Sequence, residues 1–173
     1  EGLQHQDGHS LLHASTVPSC RAWDPAYAYE LATIIEHGID EMWGKDKDIF
    51  QYIMLYNQNE QQPAKPKGID ADLVRGAYLY SEAGDGDGPV IRLLGSGPIL
   101  SHVREAAEQL AEYGVRSEIW SVPSYGELRR AGLAAERATR LDPQNPQSAF
   151  VSECFGDDVT TVAASDYIAA VPE

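Results

Sequence analysis

The chain has 173 residues, 43% hydrophobic and 23% charged, a length and balance that fit one globular domain or two small ones with a real core. Its 13 Lys and Arg face 27 Asp and Glu, and the net charge of -14 repels phosphate backbones and anionic bilayers, which argues against nucleic acid or a membrane surface as partner. No run approaches the roughly 20 apolar residues of a membrane span, and the two cysteines, Cys20 and Cys154, form neither a zinc pair nor a disulfide framework, as suits a reducing cytoplasm.

Residues 1–16, rich in His, Gln, Gly and Ser, read as a polar loop entering a short helix near residues 10–15. Asp24 before Pro25 has the form of an N-cap followed by proline at the first helical position. Ala28, Leu31, Ile35, Ile39 and Met42 then recur at steps of three and four, predicting an amphipathic helix of about 18 residues that ends near Gly44. Residues 49–56 are nearly continuously apolar, β-branched and aromatic, as in a strand buried on both faces of a parallel sheet. After them Asn, Gln, Pro, Lys and Gly dominate around a short strand-like piece near residues 76–80. The division this suggests is one unit over 1–60, a linker over 61–88 and a second unit over 89–173.

From Pro89 the pattern becomes regular. A strand over 90–94 leads through Gly95-Ser96-Gly97 to a helix over 98–113, with Leu100, Val103, Ala107 and Leu110 on one face and Gly114 as its stop. A strand over 115–122 follows, then a helix opened by the Ser-x-x-Glu capping box Ser124-Tyr125-Gly126-Glu127 and barred from continuing past about Arg140 by Pro143 and Pro146. Two short strands, 149–154 and 159–164, lead to a Ser165 cap and a last helix. Strands alternating with helices imply parallel pairing and an α/β layered fold.

Motifs of general chemistry are weak. His5, His9 and His13 repeat every fourth residue, but Gly8 interrupts a helical face and no His-Glu-x-x-His pattern is present, so a metal site is not expected. Gly84-Asp85-Gly86-Asp87-Gly88 lacks the later ligands of an EF-hand and reads as a flexible acidic turn. Gly95-Ser96-Gly97 resembles the start of a dinucleotide fingerprint, but Leu100 stands where the third glycine belongs, so it reads as a tight turn. Cys154, placed in an apolar strand with no nearby His, reads as an inert thiol, and no Gly-x-Ser-x-Gly elbow occurs.

The loop Glu1-Gly2-Leu3-Gln4-His5-Gln6-Asp7-Gly8-His9-Ser10, followed by Val17-Pro18-Ser19-Cys20 and Asp24-Pro25-Ala26-Tyr27-Ala28-Tyr29-Glu30, closely resembles the homodimeric bacterial type of pyruvate dehydrogenase, its thiamine-diphosphate-dependent decarboxylating component. Supporting segments are Leu93-Leu94-Gly95-Ser96-Gly97, Trp120-Ser121-Val122-Pro123-Ser124-Tyr125 with Glu127-Leu128, and Ala163-Ala164-Ser165-Asp166-Tyr167. The resemblance implies parallel-sheet layered domains of the transketolase-like fold, present in part: the end of the pyrimidine-binding middle domain at 1–60 and a truncated C-terminal domain at 89–173. It also implies decarboxylation of pyruvate with thiamine diphosphate and Mg2+, and reductive acetylation of the lipoyl group of dihydrolipoyl acetyltransferase by a cytoplasmic homodimer. His5 matches the loop histidine that faces cofactor and substrate, where an imidazole donates a hydrogen bond or shuttles a proton; Asp7 and His9 would orient the loop.

In the family the diphosphate-binding motif and the activating glutamate lie upstream of the position of Glu1. The chain is therefore expected to be a piece of a longer enzyme and inactive by itself. Where family members read Tyr-Asn-Glu-Asn-Tyr, this chain has Tyr56-Asn57-Gln58-Asn59-Glu60. The alternatives are a transketolase-like or other 2-oxo acid enzyme, disfavoured by the long histidine loop, and a non-catalytic assembly module that keeps the fold.

Overall fold

Short apolar runs and their helical partners settle into two sheets among the residues that this computed structural model describes, which are 6–57, 59, 61–156 and 158–173. The first pairs β1 (Cys20–Trp23) with β2 (Phe50–Ile53) in parallel. The second has the order β3-β5-β4-β6, with β3 (Tyr78–Ser81), β4 (Val90–Gly95), β5 (Arg116–Ser121) and β6 (Thr160–Ala164). β4 runs parallel to both β5 and β6, while the edge strand β3 pairs antiparallel with β5.

The helices are α1 (Ser10–Ser15), α2 (Ala28–Ile39) continued by a π-helical turn (Asp40–Gly44), α3 (Asp70–Leu73), α4 (Ile99–Glu112), α5 (Tyr125–Leu141) and α6 (Phe150–Cys154). The two-residue period of β4 distributes them. Leu93 points to one face and packs with Leu100 and Val103 of α4; Leu94 points to the other and packs with Leu128 of α5 and Phe150 of α6. Helices thus cover both faces of the second sheet, the arrangement that a continuously apolar parallel strand requires.

A third core joins the two parts of the chain. Trp23 at the end of β1 and Ile34 of α2 pack with Ile69, Leu73 and Tyr78. The segment 61–88 therefore carries α3 and β3, both seated in buried apolar surroundings. Its glycine-rich end is closed by Arg116, whose guanidinium donates to the carbonyls of Gly84 and Gly88 at 3.2 and 2.9 Å.

Several local expectations are corrected. Residues 149–154 form α6 rather than a strand: Ala149 supplies an extended cap, and the Ser152 and Glu153 amides both donate back to its carbonyl. The 165–173 segment holds turns in place of a last helix, although the Ser165 hydroxyl does accept from the Tyr167 amide at 3.1 Å. α2 begins at Ala28, and its buried positions are Glu30, Thr33, Ile34 and Gly38, whereas Ile35 and Ile39 of the expected apolar stripe are exposed. The Gln51 carboxamide of β2 packs directly on Gly38, where an added side chain would have to push it aside, and it donates to the Ile34 carbonyl, which ties that face of α2 to β2. β2 takes up 50–53 of the expected 49–56 and pairs with β1 alone among the described residues, and in this chain by itself Phe50 and Tyr52 are exposed.

The capping box forms by half. The Ser124 hydroxyl accepts from the Glu127 amide at 3.1 Å, but the Glu127 carboxylate turns to Arg21 and Arg130.

The histidine loop and the buried carboxylate beneath it

Asp7 gives the polar loop its local shape. Its carboxylate accepts from the amides of His9 at 3.1 Å and Ser10 at 2.9 Å, and from the Ser10 hydroxyl, so it satisfies free N–H groups at the start of α1. Partial desolvation pushes the Asp7 carboxyl up, but the hydrogen bonds from Ser10 and His9 outweigh it and hold the group below the usual carboxylate range. His9 and His13 follow on one side, with ring centroids 6.3 Å apart. His5 lies outside the described residues. Gln58 and Glu60 of the departing turn do also.

The loop is docked on the last turn of the chain. The Ile168 amide donates to the Gly8 carbonyl at 3.1 Å. Between them opens a cleft of about 370 Å³ lined by Gln6, Asp7, Gly8, Met54, Tyr56, Asp166 and Tyr167. Its floor is a pair of tyrosines, Tyr56 and Tyr167, with hydroxyls 3.3 Å apart.

Beneath the tyrosines sits Asp24, 3% exposed. It follows β1, and every polar atom that it presents is used. Its carboxylate accepts from the Tyr56 hydroxyl at 2.9 Å and from the Ser96 hydroxyl at 2.7 Å; its carbonyl accepts from the Gly97 amide at 3.0 Å; its amide donates to the Pro123 carbonyl at 2.7 Å. The expected N-cap is thus a tie between β1 and the carboxyl ends of β4 and β5. Burial pushes the Asp24 carboxyl up to about 6 against the hydrogen bonds from Ser96 and Tyr56, and Asp166 and Asp7 add repulsion.

This placement also decides the Gly95-Ser96-Gly97 turn. Gly97 adopts φ +49, and a Cβ there would lie 2.5 Å from Asp24 Oδ1. The space before α4 that would receive a phosphate in a dinucleotide site holds the Asp24 carboxylate instead. Sequence reasoning missed this partnership because Asp24 and Ser96 are 72 positions apart.

A second buried carboxylate, Glu30, lies on α2. It accepts from the Tyr78 and Ser121 hydroxyls at 2.6 Å each and from the Ala26 amide at 2.5 Å. Burial raises its pKa above the usual carboxylate value. Both carboxylates link the first part of the chain to the second sheet.

Among the described residues no three His, Cys, Asp or Glu are grouped to hold a metal ion, and the one turn shaped for phosphate is filled. Burial lifts the thiol of Cys154 to about 11 and raises that of Cys20, so neither is poised as a nucleophile. No helix among the described residues is long and apolar enough to cross a membrane.

Comparison with known proteins adds the lineage. Residues 1–63 match the family model of the pyruvate dehydrogenase E1 component middle domain, and residues 76–173 that of the transketolase-like TK C-terminal domain. The chain is 50% identical over 171 residues to the pyruvate dehydrogenase E1 component of Pseudomonas aeruginosa and 43% identical over 171 residues to that of Escherichia coli K12, each covering 97% of this chain. It is 42% identical over 178 residues to the one from Mycolicibacterium smegmatis, which covers all of it. The chain spans 19% of the length of each of these relatives.

Among solved structures, a Pichia stipitis transketolase variant has a TM-score of 0.64 at 17% identity, over 95% of this chain and 21% of its own. The Leishmania mexicana transketolase has a TM-score of 0.62 at 18% identity, over 96% of this chain and 21% of its own; both show the fold alone. The expected transketolase-like α/β fold is present, and the chain belongs to the pyruvate dehydrogenase E1 component family.

Proposed function

We propose that this chain is the segment of a full-length, cytoplasmic, homodimeric pyruvate dehydrogenase E1 component that contributes the histidine loop to its active site. The observation that carries this is the identity of 50% across nearly the whole chain to an E1 component, and the loop lies within residues 1–63, which match the E1 middle-domain model. The substrate would be pyruvate, and the acetyl acceptor the lipoyl group of dihydrolipoyl acetyltransferase. The division into a middle-domain end at 1–60, a connecting segment at 61–88 and a C-terminal domain from 89 belongs to the same proposal.

Thiamine diphosphate with Mg2+ would supply the carbanion chemistry that decarboxylates a 2-oxo acid. The described residues do not fit the task of holding it, since the glycine turn before α4 is filled by Asp24 and no metal-ligand cluster is present among them. In the proposal, cofactor binding therefore falls to other parts of the full-length enzyme. What this chain would add is a proton-handling imidazole, His5, on a loop whose shape Asp7 and the His9 amide set.

The test is an assay of the full-length enzyme with thiamine diphosphate and Mg2+, offered either pyruvate with a lipoyl acceptor or a ketose phosphate with an aldose acceptor. Pyruvate-dependent acetylation of the lipoyl group is expected. Turnover of the ketose phosphate alone would assign the chain to a transketolase-like sugar enzyme.

A further inference from the structure

We infer that Asp24, acting through Tyr56 and Tyr167, is the positioning group that holds the histidine loop in place for the reaction. The inference rests on the proposed active-site role of that loop.

The described loop has one backbone tie to the second unit, the hydrogen bond from Ile168 N to Gly8 O at 3.1 Å. Ile168 belongs to no helix or strand, so regular backbone pairing does not fix its place. The adjacent Tyr167 fixes it: its ring is buried, and its hydroxyl lies 3.3 Å from that of Tyr56. Tyr56 follows β2 on an extended segment and is itself held by its hydrogen bond to Asp24 Oδ1 at 2.9 Å. Asp24 is the rigid end of the chain, since its backbone and its other oxygen are bound to Pro123, Gly97 and Ser96 at the ends of two central strands.

The links from Asp24 to Tyr56 and Ser96 are short, at 2.9 and 2.7 Å, the contact between the two hydroxyls is longer at 3.3 Å, and the two phenols have few soft torsions. The expected consequence of cutting the chain is a shift of the loop, not its unfolding. Because a displacement of about 1 Å in a positioned group costs up to 100-fold in rate, such a shift is read in kcat. Asp24 and the tyrosines need not touch substrate for this, so they are positioning residues.

The experiment uses the full-length enzyme with Tyr167→Phe, which removes only one hydroxyl, and Asp24→Asn, which keeps the shape and one of the two acceptor oxygens while removing the charge; Asp24→Ala serves as the severe case. Two readouts are taken: kcat and KM for pyruvate, and amide hydrogen exchange in peptides spanning residues 6–15 and 165–173. Tyr167→Phe is expected to lower kcat about tenfold, with KM changed less than threefold, and to speed exchange about tenfold in both peptides. Asp24→Ala is expected to exceed it in both readouts, and Asp24→Asn to recover part of the loss. Unchanged exchange at residues 6–15 in a folded Tyr167→Phe enzyme overturns the positioning role, as does a kcat loss that only follows a lowered melting temperature. If the wild-type enzyme does not act on pyruvate, the proposed function fails, while the exchange result still decides the positioning of the loop.

Discussion

Asp24 is buried, and its backbone and carboxylate tie β1 to the carboxyl ends of β4 and β5. The Asp-Pro pair suggests a helix cap, but helix α2 begins later, and the carboxylate is spent on Ser96 and Tyr56. Its pKa of about 6 lies above the ordinary carboxylate value because it is buried. The fold therefore binds this proton more tightly than the unfolded chain does. That contribution to stability is fully present below about pH 4 and is lost as pH rises through about 6.

At neutral pH the loss amounts to about 3 kcal/mol. Asp24→Asn has no proton to lose, so its melting temperature relative to the native enzyme is expected to rise between about pH 5 and pH 7.5. Thermal unfolding across that range checks it, and a difference that does not vary with pH would contradict the buried, proton-shifted carboxylate. Nothing local in the sequence could have disclosed this: the groups that bury and bind Asp24 come from Tyr56, Ser96 and Pro123, brought together only by the fold. The partners of Asp7, by contrast, are local: the amides of His9 and Ser10, two and three positions away.

Elements were legible where a period of sufficient length met a clear stop. α4 ends before Gly114, which takes φ +74, and α5 opens on the Ser124 cap, as expected. The failures are short or ambiguous. β1 has four residues, one of them Arg21, and no alternation to betray it. The run at 149–154 mixes Phe, Val and Cys with Ser and Glu, and six residues cannot distinguish a strand from one and a half helical turns. On α2 apolar periodicity points to the wrong stripe because a glutamate and a threonine, Glu30 and Thr33, occupy the buried face, where they are hydrogen-bonded.

The Ser124 cap gives a test at this scale. Its hydroxyl accepts from the Glu127 amide and donates to the Ala22 carbonyl at 2.6 Å, and the residue is buried. Ser124→Ala removes a cap and leaves a buried carbonyl short of a partner, so a loss of about 2 kcal/mol is expected, read as a lowered melting temperature. A change within about 0.5 kcal/mol, the range of ordinary surface substitutions, would show that neither bond matters.

At the scale of the whole molecule, the first unit and the second sheet are joined through a shared apolar core and two buried carboxylates. The net charge of -14 opposes an anionic substrate such as pyruvate. This chain's own net charge gives such an anion no attraction, so what it contributes to the proposed site has to be a local cationic or donor group. The loop is the part of this chain that offers such a group, which makes His5 the residue on which the functional claim rests. The direct measurement is pyruvate-dependent reductive acetylation of a lipoyl acceptor by the full-length enzyme carrying His5→Ala, with thiamine diphosphate binding measured in parallel. A fall in kcat of about 100-fold or more, the scale of a positioned acid or base, with cofactor binding retained, is the predicted result; kinetics equal to those of the native enzyme would contradict it.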